Sequence, residues 1–432
     1  MQRLVPILCL LLAGSLSAQG DFVEFVNQRA AEIDAQVIQW RRHLHENPEL
    51  SNREFETADY IAAHLRSLDI EVRTGVAHTG VVGILRGGKP GKTVALRADM
   101  DALPVTERVD VPFRSEVRTT YLGVETGVMH ACGHDTHVAM LMGAAEILAG
   151  MREQIPGTVV FLFQPAEEGA PPGEEGGAEL MVKEGALRDP QVDAVFGIHI
   201  SSDTPIGEVE FKPGGFLAAV NRLVIRVKGV QTHGSTPWTG VDPITVSAQI
   251  IQGLQMIVAR QTELTKEAAV ISIGKISGGV RSNIIPEEVE MIGTIRTLDT
   301  DMQREIHERI RRTVTNIAEA SGATAEVIIE SGYPVTYNDP DLTQEMVPTL
   351  VAVAGGENVV LSRAITGAED FSFFAREVPG FFVFVGGMPA GMDKAEAAPH
   401  HTPDFYIDEG GLQTGVEVYA NLALDYLLRH AE

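Results

Sequence analysis

The sequence predicts an α/β protein. A mostly parallel sheet with helices on both faces is interrupted by a smaller, inserted ferredoxin-like α+β domain. Three observations predict it. Short, nearly continuous apolar runs alternate with helical stretches up to about residue 200, the pattern of strands buried on both faces. Near Phe216 the texture changes to strands in which apolar residues alternate with charged ones. After Gly332-Tyr333-Pro334 the first pattern returns. The expected organisation is a leader over residues 1–20, the main domain over 21–215 and 331–432, and the inserted domain over 216–330.

In chain order, Ile33, Val37, Trp40 and Leu44 recur at helical spacing from Asp21 onward, and Pro48 closes that segment. Phe55, Ile61, Leu65 and Leu68 mark a second helix. Buried strands are predicted at 81–85, 93–98, 158–163 and 192–198, with a helix over 138–148. In the inserted part, Leu223, Ile225 and Val227 alternate with Arg226 and Lys228, and a long helix starts at Asp242-Pro243. Strands are predicted over 270–276 and 289–295. A helix follows on Met302, Ile306, Ile310 and Ile317, and a last strand on Ala325, Val327 and Ile329. The order β-α-β-β-α-β is ferredoxin-like. Helices over 341–354 and 411–428 then flank a strand over 381–385.

With 432 residues and 44% hydrophobic content the chain can bury a large core. Lys and Arg total 34 against 59 Asp and Glu, a formal charge of -25, which argues against nucleic acid or an anionic membrane surface as partner. Met1-Gln2-Arg3, an apolar run from Leu4 to Leu12, and small residues up to Gly20 read as a secretory signal peptide; the other reading is a retained anchor. The run is too short to span a bilayer, so no membrane insertion is expected once the leader is cleaved, and the protein is expected to be secreted or periplasmic. The two cysteines are Cys9, inside the leader, and Cys132, so the mature chain has no internal disulfide.

Cys132 lies in Met129-His130-Ala131-Cys132-Gly133-His134-Asp135-Thr136-His137, a density of metal-ligand residue types that a core does not require. Outside the cytosol a lone thiol is exposed to oxidation unless a metal holds it as thiolate. Other chemical residues fall where predicted strands end, and open α/β sheets bind ligands at those ends. Asp99 and Asp101 follow one strand, Glu167-Glu168 another, His199 a third, and His400-His401 lies beyond the last. Adjacent glutamates suit a division of labour in hydrolysis, one binding metal and the other moving a proton.

These residues resemble a family. Arg97 to Pro104, Met129 to His137, Gln164 to Gly169, Gly367-Ala368-Glu369-Asp370-Phe371 and His401-Thr402-Pro403 are similar to motifs of the aminoacylase and hippuricase-like amidohydrolases. Those are dinuclear metallopeptidases of the glutamate-carboxypeptidase type, and their relatives include hydrolases of auxin–amino acid conjugates. Arg41-Arg42-His43-Leu44-His45 with Pro48-Glu49 matches the opening helix. The resemblance implies two divalent metal ions, Zn²⁺ or Mn²⁺ with Co²⁺ or Ni²⁺ as alternatives, bound by Cys132, His134, Glu168, His199 and His401. It implies Glu167 as general base and then acid, with Asp101 orienting the ligands from behind. His401 is preferred to His400 because it heads the His-Thr-Pro motif. The inserted domain resembles a lid and dimerisation domain. In it, His233 would reach the oxyanion across a homodimer, and Asn283 with Arg296 would hold a product carboxylate. Many members of the wider group carry His-x-Asp and a bridging aspartate, where this chain has Asp99-Met100-Asp101 and Cys132. The expected activity is hydrolysis of N-acyl amino acids or short acylated peptides by metal-activated water. A carboxypeptidase or dipeptidase is the alternative, and a non-catalytic metal-dependent binding protein is a third reading.

Overall fold

The computed structural model describes residues 7–431, with side chains from Phe22 onward. The leader expected over 1–20 therefore lies outside the residues whose side chains are described. The chain forms two compact units. One comprises the chain up to Gly214 with Asn338–Ser362 and Phe373–Glu432; the other comprises Gly215–Tyr337 and Arg363–Ser372.

The first unit is built on eight strands in the spatial order Glu71–Val76, Gly80–Arg86, Pro156–Gln164, Lys89–Asp99, Ala194–Pro205, Gly380–Met388, Val209–Phe211, Val359–Leu361. Pro156–Gln164, Lys89–Asp99, Ala194–Pro205 and Gly380–Met388 are mutually parallel. Antiparallel pairs flank them on one side at Gly80–Arg86 and on the other at Val209–Phe211. Every side chain from Val159 to Gln164 and from Thr93 to Asp99 is buried, so both faces of the sheet are covered, as continuous apolar runs require.

The opening helix, Ile7–Glu46, buries Val26, Ala30, Ile33, Val37, Trp40 and Leu44, spaced four, three, four, three and four residues apart on one face. Two further helices, His134–Gly150 and Leu412–Arg429, pack against each other so closely that a Cβ on Gly415 would sit 1.8 Å from Met140 Sδ. Tyr419 on the latter donates its hydroxyl to the Arg97 carbonyl at 2.5 Å, tying that helix to a central strand.

The second unit has a four-stranded antiparallel sheet in the order Ala269–Gly278, Glu288–Thr297, Ala219–Lys228, Thr324–Ser331. Helices Pro243–Gln261 and Thr300–Ala320 complete the ferredoxin-like order. Each helix begins at an aspartate whose carboxylate accepts a backbone N–H of the first turn, Asp242 from Ile244 and Asp299 from Met302. Met302, Ile306, Ile310, Val314 and Ala318 form the buried stripe of the second helix.

The sequence boundaries shift in two places. Residues 331–337 group with the second unit because the Val220 N–H donates to Tyr333 and Gly332 donates back to Val220, prolonging the sheet. Arg363–Ser372 also groups there, since the Ala218 N–H donates to the Ile365 and Gly367 carbonyls. The short or half-exposed strands Glu71–Val76, Val209–Phe211 and Val359–Leu361, and the hairpin Arg118–Tyr121 with Val124–Gly127, had no apolar run to announce them.

Candidate metal centre

The site lies in the first unit, where the parallel strands end. Lys89–Asp99 leads to Asp101, Pro156–Gln164 leads to Glu167-Glu168, and His199 projects from within Ala194–Pro205, which runs on past the residue expected to close it. Cys132 immediately precedes the left-handed Gly133 (φ 88°), and His134 opens the helix His134–Gly150.

Two of the expected ligand histidines direct Nδ1 away from the centre, toward an acceptor, and turn Nε2 into it. His199 Nδ1 lies 2.5 Å from the Ile200 carbonyl, which can only accept, so Nδ1 carries the hydrogen and Nε2 presents a lone pair 3.4 Å from Cys132 Sγ. His134 Nδ1 lies 3.3 Å from Asp101 Oδ1, and its buried Nε2 has no hydrogen-bond partner. A neighbouring carboxylate or carbonyl that fixes the far nitrogen is the usual arrangement behind a metal-binding imidazole. His401 Nε2 lies 3.3 Å from Cys132 Sγ and 3.1 Å from Glu168 Oε1.

His400 also approaches Cys132, with Nδ1 at 3.5 Å, but its Nε2 accepts the Ser202 N–H at 3.2 Å. In the neutral ring the remaining nitrogen, Nδ1, then carries the proton and has no lone pair to offer. Burial, followed by the neighbouring His401, pulls the His400 pKa down to about 4, so the ring is neutral at ordinary pH. His137 is engaged at both nitrogens: Nδ1 lies 2.5 Å from Asp99 Oδ1, and Nε2 accepts the Ile200 N–H at 2.7 Å. It braces the ends of two strands.

Among the sets of ligand atoms that lie within 4.8 Å of one another are His134 with Glu167 and Glu168, Cys132 with Glu168 and His401, and Cys132 with His199 and His400. Cys132 and Glu168 each belong to two sets, so the groups share members. Electrostatics fit a cation. Burial pushes the Cys132 thiol well above its ordinary pKa, and Glu168, Glu167 and Asp99 push it further. Burial alone would lower His134, but Asp99, Asp101 and Glu168 outweigh it and raise it to about 10; the negative field that draws a proton to Nε2 is the field that would draw a cation in its place. A thiol, two glutamates and an unpartnered imidazole nitrogen in one buried cluster suit divalent cations of borderline softness.

Behind this layer Asp101, itself fully buried, accepts from Ser51 Oγ at 2.7 Å and from the Glu167 and Glu168 backbone N–H groups, each at 3.0 Å. Asp99 accepts from Arg97 at 2.7 Å. Sequence reasoning missed a further buried network. Arg41 lies 2.8 Å from Asp135, and His45 bridges Asp135 at 2.9 Å and Glu107 at 3.2 Å. The four-residue spacing of Arg41 and His45 on one helix face was the available signal.

The remaining expected residues belong to the second unit. His233 and Asn283 are exposed neighbours there: the Gly234 N–H donates to the Asn283 carbonyl, and the strand pair joins His233 to Ile284. His233 Nδ1 accepts from Ser235 Oγ at 2.7 Å. Arg296 is half-buried, donating to Thr294 Oγ1 and the Thr366 carbonyl.

This fold and donor set define a metal-dependent hydrolase of amide bonds, and comparison with known proteins agrees. Residues 95–425 match the peptidase family M20/M25/M40, and the chain belongs to that family. It is 44% identical over 408 residues to thermostable carboxypeptidase 2 of Saccharolobus solfataricus, covering 94% of this chain and 99% of that protein. It is 36% identical over 418 residues to IAA-amino acid hydrolase ILR1-like 2 of Arabidopsis thaliana, covering 96% and 90%. Among solved structures, the Bacillus subtilis YXEP protein, named as a dinuclear metal-binding peptidase of the M20 family, superposes with a TM-score of 0.77. It is 34% identical, over 92% of this chain and 99% of that one.

Proposed function

We propose that the protein hydrolyses the amide bond of N-acyl amino acids or short acylated peptides, with two divalent cations held by Cys132, His134, Glu168, His199 and His401. The observation that carries the reading is the buried His134 Nε2, without a hydrogen-bond partner, grouped with the Glu167 and Glu168 carboxylates, the latter grouped in turn with the Cys132 thiol and His401. Cations bound there supply Lewis acidity, which acidifies water and polarises the scissile carbonyl. Glu167 takes a proton from the attacking water and returns it to the amine that leaves. Asp101 fixes both the His134 ring and the backbone of the glutamate pair. The conjugate hydrolase among the relatives supports an acylated amino acid as substrate. The carboxypeptidase supports a second reading, a peptide with a free carboxyl terminus.

The test is a panel of N-acyl amino acids and carboxy-terminal peptides offered to purified protein with added Zn²⁺ or Mn²⁺. Cleavage is expected, and Glu167→Gln should abolish it; a Glu167→Gln variant as active as wild type would refute the mechanism. The panel also separates the two substrate readings.

The inserted unit is assigned to homodimerisation, with His233 serving the partner's site and Asn283 and Arg296 binding a carboxylate. What supports this is its edge strand Ala269–Gly278, which exposes Val270 and Ile276. Sedimentation of active enzyme as a monomer would overturn it. Residues 1–20 are assigned as a leader for export, on the basic start and apolar run alone. Among the described residues, no helix is long and apolar enough to cross a membrane.

A further inference from the structure

Glu54 is completely buried, yet none of the chemistry above uses it. It lies in the turn before the helix Phe55–Ser67, and its two carboxyl oxygens have distinct partners. Oε2 lies 2.6 Å from the Thr79 hydroxyl, and Oε1 accepts the Ala166 backbone N–H at 2.9 Å. The next two N–H groups along the chain, those of Glu167 and Glu168, go to Asp101 Oδ1 and Oδ2, each at 3.0 Å.

Three consecutive N–H groups therefore face two buried carboxyls. An extended strand cannot do this, because its N–H groups alternate in direction. The chain departs from the extended form at Ala166, whose φ is +53°, a left-handed conformation that a residue with a Cβ rarely adopts. Successive N–H groups converging through a left-handed residue form a concave cradle that suits an anionic acceptor. Pro165 has no N–H, so the Ala166 donor is the first after Gln164, and Glu54 holds it. The neighbouring Ser51 donates to Asp101, so one turn of chain supports both carboxyls.

We propose that Glu54 is a positioning residue for hydrolysis, holding Ala166 left-handed so that Glu167 and Glu168 leave the backbone in the two directions that base and ligand require. This rests on the roles assigned above to those two glutamates. What the turn needs from position 54 is an acceptor for the Ala166 N–H. Burial, then the proximity of Asp101, raises the Glu54 pKa to about 8; in the neutral acid Oε2–H donates to the Thr79 hydroxyl while Oε1 still accepts the Ala166 N–H, so that need is met at pH 7. A glutamine supplies the same acceptor, with its amide directed at Thr79; a methionine of similar length supplies none.

The experiment compares wild type, Glu54→Gln and Glu54→Met, each loaded with metal to the same stoichiometry. Steady-state kinetics on an N-acyl amino acid are measured together with hydrogen–deuterium exchange over the segment containing residues 164–169. Misplacement of about an ångström at a reacting group costs about 100-fold, so Glu54→Met should lose about that much in kcat with KM little changed. Its Ala166–Glu168 amides should exchange faster. Glu54→Gln should match wild type in both measurements. Wild-type kcat and protection in Glu54→Met, or a Glu54→Gln variant as impaired as Glu54→Met, would overturn the proposal. If the methionine variant does not fold, Glu54→Asp, which withdraws the acceptor by one methylene, carries the same comparison. Absence of any acyl-substrate cleavage by wild type would instead refute the functional reading, and the exchange data alone would then decide whether Glu54 holds the turn.

Discussion

Replacing Gly133 by alanine tests whether the backbone between two proposed ligands is set by sterics. Gly133 has φ 88° and ψ 17°, between Cys132 and His134. The left-handed region costs a residue with a Cβ about 1–2 kcal/mol. The added Cβ would also lie 2.4 Å from Ile200 Cγ2 and 3.4 Å from Phe405 Cζ, both buried side chains. Overpacking of that kind costs about 1–3 kcal/mol, so the sum is about 2–5 kcal/mol. At about 2 °C per kcal/mol for a chain this large, Tm should fall by about 4–10 °C. The clash can be relieved in two ways, and each moves a ligand. If Ile200 retreats, it draws the adjoining His199 with it. If the 132–134 backbone rotates, Cys132 and His134 move, and the two hydrogen bonds that Thr136 donates to the Gly133 carbonyl are lost. Calorimetry should therefore show a lower Tm, and elemental analysis a lower bound-metal content. A Gly133→Ala protein with wild-type Tm and full metal content would refute the reasoning.

Three other outcomes are expected. Asp101→Asn places an amide N–H₂ where Asp101 now accepts only, and metal titration should show affinity reduced by about 10–100-fold, the usual cost of losing a carboxylate behind a ligating histidine. His401→Ala should lose bound metal while His400→Ala keeps it, because His400 Nε2 is occupied by the Ser202 N–H; equal losses in elemental analysis would contradict the tautomer assigned here. Glu54 gives a pH signature. Its folded pKa of about 8 lies above the ordinary 4.5, so its contribution to stability is complete below about 4.5 and is lost as pH rises through about 8. Glu54→Gln cannot ionise there, so in chemical denaturation it should gain on wild type between pH 5 and pH 8.5, and a constant difference would contradict the assignment.

Where burial on both faces enforces continuous apolar runs, the strands were readable from sequence. The four parallel central strands were recognised for that reason, and the ferredoxin-like unit because its strands alternate and its helices carry four-residue stripes such as Met302, Ile306 and Ile310. Glu71–Val76 is half-exposed on both faces and Val359–Leu361 is three residues long, so neither imposes a pattern. The boundaries near 337 and 363 depend on backbone hydrogen bonds from Ala218 and Val220, which are indifferent to side chain.

The site divides along the same line. A metal-binding layer is legible because the chemistry resides in residue type: thiolate, imidazole and carboxylate are scarce choices, and Cys132, His134 and His137 stand together in the chain. The layer behind it works through backbone donors, and any carboxyl can accept from them. Asp101 was named because it follows a predicted strand and lies within the Arg97 to Pro104 motif. Glu54 takes the neighbouring N–H of the same turn and looks in sequence like one more surface acid at the start of a helix. Burial distinguishes the two kinds of acid. A carboxyl without solvent is tolerated only where hydrogen-bond partners replace water, and at Glu54 those partners are Thr79 and Ala166. The same condition accounts for His137 and Asp99, which carry no assigned chemistry yet are fully buried and mutually bonded. A buried polar group near a reactive cluster thus reports which backbone segment must not move, and here that segment is the one that carries Glu167.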